Sequence, residues 1–482
     1  MIMKAQKIRG GDMRGFLVGM GLSLSLALAS PALAVAPPVS DATGSDWKES
    51  YAYMVGMQAV FFGYPIVKNA TVRYQMIEKP NGQADMPLNT WFHSRRPSDA
   101  TDKLHSSVTP DLLYSAAWFD LSAGPVVITV PDAADQYYSI QMMEMYSDIF
   151  AYLGTRASGG KAGHHLLVGP TWSGPVPEGI DTVITAPQNQ GMLLLRAGIA
   201  DRRYLKPTHK VQDGVRLTPF SKWRTNDATP ETNRDVVDPA GPGTPLSFFV
   251  TMNRAMTQTP PPPKDASFVA WIKSVGLGPN MASDFSEMDP ATKKGLQRAL
   301  TDGLDLLRRI AVAGGKTKIV NNWAYGQKNW GRTGETHDFL TRAANQSFSG
   351  MQEHWIEEVV KLRAHHDAAG ELLDGRAQNY ILHFGPGELP NSKAFWSIVV
   401  YDENYDLVDN SVGRYSLGSL DKNLRYGKDG SLTLYLQATP AKVRSNWLPI
   451  PQGKFNLFLR AYLPGQALID QDYAPPAVRK AP

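Results

Sequence analysis

The amino-acid sequence predicts an α+β protein with β-sandwich units at both ends and a helical segment between them. Three observations predict it. Apolar and polar residues alternate with period two near both ends of the chain, the pattern of a strand with one buried face. Apolar spacing of three or four is strongest between about residues 246 and 367. Forty-two Gly and 35 Pro supply the breaks that many short strands require.

The first element reads as an address. Lys4, Lys7, Arg9 and Arg14 precede a run from Gly15 to Ala29, and Ser30-Pro31 breaks it before Ala32-Leu-Ala34. That is the layout of a secretory signal, with cleavage expected after Ala34. The apolar run is about 15 residues, short of the roughly 20 that span a bilayer. A periplasmic or secreted protein without stable membrane insertion after signal removal is expected.

Residues 35–46 form a Pro-rich lead-in. Tyr51, Val55, Gln58 and Phe62 are spaced as on a helix over Trp47–Phe62, with Gly63 and Pro65 as the expected stop. Strands follow. Val126-Val-Ile-Thr-Val130 is a β-branched run between breakers. In Tyr138–Tyr146, period two puts Tyr138, Ile140, Met142, Glu144 and Tyr146 on one face and Ser139, Gln141, Met143 and Met145 on the other. His165–Val168 and Gly191–Arg196 are further strands.

Residues 224–245 read as a connector. A helix is expected over 246–257, and Pro260–Pro263 must be extended. Asp289 caps a helix that begins at Pro290, with Leu296, Leu300, Gly303, Leu307 and Ala311 as its stripe and Gly314-Gly315 as its close. A last helix is expected over 351–367, with Trp355, Val359, Leu362 and His366 on one side. Period two then returns in Trp396–Val400, Leu432–Leu436 and Phe455–Ala461, which need a second layer to cover their apolar faces. The expected divisions are a signal peptide at 1–34, a β-rich domain at 35–224, a connector and helical segment at 225–370, and a β-sandwich at 371–482.

Cysteine is absent, which removes disulfides, thiolate metal sites, a Cys nucleophile and c-type haem. Of the formal charge of +4, the leader's four cations against Asp12 hold +3, so the rest is close to neutral. Nucleic acid is therefore not an expected partner.

Two groups of residues are candidate ligand-binding sites. Arg95 and Arg96 can grip a carboxylate or phosphoryl group, with Asp111 orienting one guanidinium and Tyr114 donating a hydrogen bond. Arg414, Tyr415, Asn446 and Trp447 form a carboxy-terminal counterpart. The plain alternatives are a structural ion pair beside a turn for the first and a core plug for the second, with Arg414 bonded to loop carbonyls. On the expected helix, His354 and Glu358 face one way, but His365, His366 and Asp367 lie about 16 Å further along. His164-His165 belongs to another unit, so no metal and no cofactor are expected. Met142 and Met143 fall on opposite faces, which favours core filling over copper ligation. No Gly-x-Ser-x-Gly elbow, Walker loop or dinucleotide fingerprint occurs.

Val108–Ser122, Gly124–Pro131 and Asp148–Arg156 together resemble the DUF1254 domain. Phe395–Asp402, Leu407–Asn410, Arg414–Ser416, Asp429–Leu432, Asn446–Pro449 and Phe455–Leu457 resemble the DUF1214 domain in order and spacing. The resemblance implies an amino-terminal immunoglobulin-like β-sandwich, a helical middle segment and a carboxy-terminal jelly-roll-like β-sandwich, often exported. A homo-oligomer is expected. It implies no catalytic mechanism. The expected role is that of an exported protein binding a small organic or lipid-like ligand. A hydrolase with a non-local active site between the units and a structural oligomer are the alternatives.

Overall fold

The structure, a computed structural model, describes residues 46–78, 86–103, 107–133, 135–231, 235–313, 317–348 and 353–482. The expected leader and the Gly314-Gly315 stop lie outside the described residues. The architecture is α+β, with β-sheet regions flanking a helical middle.

The first strands are β1 (Phe92–His93), β2 (Leu112–Asp120), β3 (Val126–Val130), β4 (Tyr138–Glu144) and β5 (Ile149–Gly154). After them come β6 (Gly163–Val168), β7 (Thr182–Thr185), β8 (Gln190–Gly198) and β9 (Arg216–Pro219). They form a five-stranded sheet, β1-β2-β8-β4-β5, and a four-stranded sheet, β7-β6-β3-β9. All pairs are antiparallel except β6–β7. Phe119, Ile128, Ile140, Leu167, Leu193 and Leu195 fill the space between the two sheets. The alternation read in β4 holds as far as Met143: Tyr138, Ile140 and Met142 enter this core and Met143 faces the helices. Tyr146, expected on the first face, instead joins Met143 and Met145 in the helical core, because the ladder shifts at Met142/Met143 and the strand ends at Glu144.

The carboxy-terminal strands are β10 (Ile319–Val320), β11 (Trp323–Tyr325), β12 (Val359–Ala364), β13 (Tyr380–Phe384) and β14 (Ser392–Asp402). They continue with β15 (Ser416–Gly418), β16 (Leu432–Leu436), β17 (Trp447–Leu448), β18 (Phe455–Pro464) and β19 (Arg479–Lys480). A six-stranded sheet, β10-β11-β12-β18-β14-β15, packs on a four-stranded one, β17-β16-β13-β19. Trp323, Leu362, Leu382, Ile398, Leu434 and Leu459 lie between them.

The second faces of the two larger sheets meet. Leu112 and Tyr137 of the first pack against Val359, Phe395 and Tyr462 of the second, and Phe395 and Tyr462 stack at 4.1 Å. Both inner sheets are thus buried on two faces, which a strict one-face alternation does not anticipate. This back-to-back seam positions the site described below.

The helices are α1 (Asp46–Ile77), α2 (Lys206–Gly214), α3 (Ser247–Gln258), α4 (Ala266–Lys273) and α5 (Pro290–Ala313). Two helix expectations are corrected. The first helix does not stop at Gly63 and Pro65 but runs on to Ile77. Pro65 forfeits the hydrogen bond to the Phe61 carbonyl, a cost of about 3 kcal/mol in a helix interior. Burial of Phe62, Ile66 and Ala70 against α3 and neighbouring elements offsets it. Gly63 is needed for contact, since a Cβ there would lie 2.2 Å from the Met252 sulfur of α3. The helix expected at 351–367 is instead strand β12, paired with β11 and β18. Val360, Leu362 and Ala364 face the core, so this segment also reads with period two. Its β-branched Val359-Val360 and the ladder to β18 decide for the strand.

Candidate site at the seam between the sheets

Period two sets the site. In β4 and β8, the residues that do not enter the amino-terminal core include Ser139, Gln141 and Arg196. In β12 and β18, Val359, Lys361 and Arg363, and Phe458, Arg460 and Tyr462, leave the carboxy-terminal core in the same way. Facing each other, these side chains form a buried polar layer in which Arg196 and Arg460 are 7% and 6% exposed.

Hydrogen bonds knit the layer across the seam. Arg196 donates to Gln141 Oε1 at 2.6 Å, and the Gln141 amide donates to Tyr152 Oη and to the Glu353 carbonyl, both at 3.0 Å. Tyr152 Oη lies 3.3 Å from His354 Nδ1. Glu358, buried, accepts from Arg156 at 2.6 Å and from Tyr137 at 2.9 Å. Burial pushes the Glu358 carboxyl above its usual pKa against the pull of Arg156.

Cations outnumber anions here. Lys361, Arg363 and Arg460 surround the Phe458 ring at 5.6, 5.5 and 5.0 Å, and Lys361 and Arg363 also lie over Trp330. Cations over an aromatic face are attracted to it, which makes their crowding tolerable. Lys361 pairs with Glu353 at 2.5 Å. Burial, then the neighbouring Arg363 and Arg460, pull the Lys361 ammonium down to about 8 despite that pair. Glu353 is also held below its usual value, because Lys361 and Arg363 outweigh its burial. Burial leads the lysine's shift, and the neighbouring arginines add to it while also holding the Glu353 carboxyl down. Buried His354 is kept neutral, first by desolvation and then by Arg196, Lys361, Arg460 and Arg156.

A crevice reaches this layer, lined by Tyr325, Gly326, Gln327, Trp330, His354, Ile356, Val359, Val360 and Lys361. Its empty space is about 240 Å³, open solvent included, of which about 10 Å³ is accessible to the centre of a water molecule, room for about one water. The Trp330 indole N–H, buried there, has no hydrogen-bond partner. A larger depression of about 700 Å³ lies beside α3, lined by residues that include Asn253, Arg254, Thr257 and Asn280.

The structure places the residues singled out in the sequence as follows. Arg95 pairs with Asp213 at 2.5 Å and reaches Gln212 on α2, whereas Arg96 binds Asp99 and Asp102 at the surface. Neither meets Asp111. Asp111 is buried and accepts from Arg202 at 2.7 Å, Ser416 at 2.5 Å and Thr109 at 2.9 Å. It thereby ties the amino-terminal sheet to β15 of the other. Its burial is outweighed by Arg202 and these hydroxyls, so its carboxyl sits below the usual range. Tyr114 Oη accepts from the Thr109 amide at 3.3 Å, and Tyr415 packs beside Tyr401 and Phe458. Arg414 donates to the Arg444 and Trp447 carbonyls, both at 2.7 Å. Asn446 braces Arg425 and Thr433, and the Trp447 indole donates to Gln437 at 2.8 Å. The two depressions are lined by other residues. Sequence reasoning missed Lys361, Arg363, Arg460 and His354 as a group. The available signal was the Arg, Lys and aromatic content of the face opposite the apolar one in β12 and β18.

A second buried polar knot joins the β4–β5 turn to a π-helical segment at Arg342–Phe348. Arg342 lies among the Phe62, Tyr146 and Phe339 rings and 3.7 Å from Asp148. Glu144 accepts from the Tyr146 and Asp148 amides, both at 2.8 Å, which makes it a brace for the turn. Burial, then Asp148, push its carboxyl from 4.5 up to about 8. A carboxyl raised on folding favours the folded state while protonated, so this contribution is present below about 4.5 and is lost as pH rises towards about 8. Glu144→Gln should therefore flatten the decline in urea midpoint across that window.

Among the described residues, no group of three or more His, Cys, Asp or Glu is placed to hold a metal ion. No helix among them is long and apolar enough to cross a membrane.

Fold and seam define a two-sandwich protein with a helical middle. The chain belongs to the DUF1254/DUF1214 domain-containing proteins: residues 88–219 match DUF1254 and residues 358–466 match DUF1214, each described as a protein of unknown function. The VPA0106 protein from Vibrio parahaemolyticus is similar in structure, with a TM-score of 0.69 at 21% identity, over 89% of this chain and 100% of that one. An uncharacterised protein from Burkholderia cenocepacia aligns with a TM-score of 0.42 at 14% identity, over 91% and 96% of the two chains. No curated protein matches the chain.

Proposed function

We propose that this is an exported protein that binds a small organic anion, whose carboxylate enters the seam crevice beside Lys361 and Trp330. The observation that carries the reading is the cluster of Lys361, Arg363 and Arg460 around the Phe458 ring, of which Lys361 lines the crevice. A carboxylate there meets a positive potential in a partly desolvated setting, where charge–charge attraction is stronger than in water. Room for about one water means that a carboxylate oxygen enters by taking that water's place, with the rest of the ligand outside the crevice. The leader-like residues 1–34 support export. The two-sheet packing at each end supports assigning the units as immunoglobulin-like and jelly-roll-like.

Calorimetric titration with glycolate, a minimal hydroxy acid, tests the reading. A Kd on the order of 1 mM, equivalent to about −4 kcal/mol, is expected for the wild type. Lys361→Met should weaken it about tenfold, the equivalent of roughly 1.4 kcal/mol. Equal affinities in the two proteins, or no heat in either, would refute it.

A hydrolase is the second reading, favoured by the Lys361 amine, whose pKa of about 8 suits proton transfer near neutrality. It predicts hydrolysis of small acidic esters that Lys361→Arg abolishes.

A further inference from the structure

Most of the seam's cations serve as fixed charges, but one of them is also a nucleophile in waiting. Arg156 is committed to Glu358, and Arg460 to the Tyr401 hydroxyl and the Ser107 carbonyl. A guanidinium cannot become neutral in a protein in any case. Lys361 differs in two respects. It lines the crevice, and it has a single carboxylate neighbour, Glu353, at 2.5 Å. Its ammonium lies 5.0 Å from the centroid of the Trp330 ring, which lines the same crevice and whose buried indole N–H lacks an acceptor. Lys361 and Trp330 line the cleft, and Glu353 is paired with the amine; an amine, a carboxylate paired with it and an unfilled hydrogen-bond donor form the set that condensation with a carbonyl compound requires.

We infer that Lys361 forms a reversible imine with a small carboxylate-bearing aldehyde or ketone held in the seam crevice, with Glu353 moving the proton. The inference rests on the anion-binding reading and names the ligand's chemical class.

The chemistry balances without a further reagent. The Glu353 carboxylate takes a proton from the Lys361 ammonium, and the freed lone pair attacks the carbonyl carbon. The C–N bond forms while the carbonyl π pair moves to oxygen, which takes the proton held by Glu353 to give an N-protonated carbinolamine. Loss of a second proton from nitrogen and departure of the hydroxyl as water, protonated through Glu353, leaves a C=N bond. One ammonium and one carbonyl compound become one protonated imine and one water. Trp330 Nε1–H is available to the ligand oxygen. The lowered affinity of Lys361 for its proton supports the step, since burial and two arginines already disfavour the ammonium.

The test uses the full chain and glyoxylate, the carbonyl counterpart of glycolate, with cyanoborohydride as the trapping reductant. Peptide mass spectrometry then reads carboxymethyl-lysine at each lysine. Lys361 should be labelled on the order of tenfold faster than the exposed lysines near neutral pH, each unit of lowered pKa freeing about tenfold more amine. Excess glycolate should protect it. Glu353→Gln should slow labelling at Lys361 alone, and Lys361→Arg should abolish that label. Labelling of Lys361 no faster than that of surface lysines overturns the imine. If glycolate still binds in that case, the anion site stands and only its covalent chemistry falls; if glycolate does not bind either, both readings fall.

Discussion

Glu358→Ala is expected to destabilise the protein by about 3 kcal/mol, because it removes one partner of a buried charged network. The carboxylate is 1% exposed and receives two hydrogen bonds that cross the seam, from Arg156 and Tyr137. Deleting it leaves the Tyr137 hydroxyl with only a 3.3 Å contact to Ser139 and strips Arg156 of its counter-charge. Arg156 retains 29% side-chain exposure, so it can recover part of its hydration, which sets the cost near the lower end of the range for such removals. Glu358→Gln keeps an acceptor and should lose about half as much. A cycle with Arg156→Met, followed by urea unfolding, should give a coupling of about 1–2 kcal/mol. Additive effects would show that the two side chains do not interact in solution.

Trp323→Ala should cost about 4 kcal/mol, the middle of the usual span for emptying a buried aromatic site. Trp323 is fully buried between the six- and four-stranded sheets, and its indole N–H donates to the Pro476 carbonyl at 2.8 Å. The substitution opens a cavity and leaves that carbonyl without its donor. Trp47→Ala provides the contrast: Trp47 is 57% exposed, and its loss should stay within about 0.5 kcal/mol. Comparable losses at both sites would contradict the two-sheet packing of the carboxy-terminal unit.

Much of the sandwich layout was legible in the sequence, because a strand writes its buried face into alternate residues. Val126–Val130, Tyr138–Glu144 and Phe455–Pro464 all form strands where the alternation and the breakers place them. The helix beginning at Pro290 was legible from its cap, and Asp289 does accept from the Thr292 amide at 3.0 Å. What local pattern could not convey was the partner of the second face. In β18, Phe458, Arg460 and Tyr462 alternate with Leu457, Leu459 and Ala461, and nothing local says that both sets are covered. The β12 segment is short enough to satisfy helical and strand periods together, and only its non-local ladder resolves it. Glycine and proline were read in α1 as a stop, whereas tertiary packing on α3 and α5 carries the helix through them.

The site was less legible for the same reason. Asp111 was singled out for a local partnership with two arginines, but its hydroxyl partner Ser416 is 305 positions away. Arg414 and Asn446 were legible as polar residues beside turns, and in the fold they satisfy loop carbonyls. Gln141, Arg196, Lys361 and Arg460 have ordinary sequence neighbours. They acquire their chemistry only when two sheets close over them and water is excluded.

The central claim is that the seam holds an excess of positive charge, part of which resides on an amine that titrates near neutrality. Glycolate affinity measured across pH tests it most directly. Affinity should be level up to a pH of about 7 and then weaken roughly tenfold by about 9.5, as Lys361 gives up its proton while the arginines stay charged. An affinity that stays constant over that range would contradict the claim.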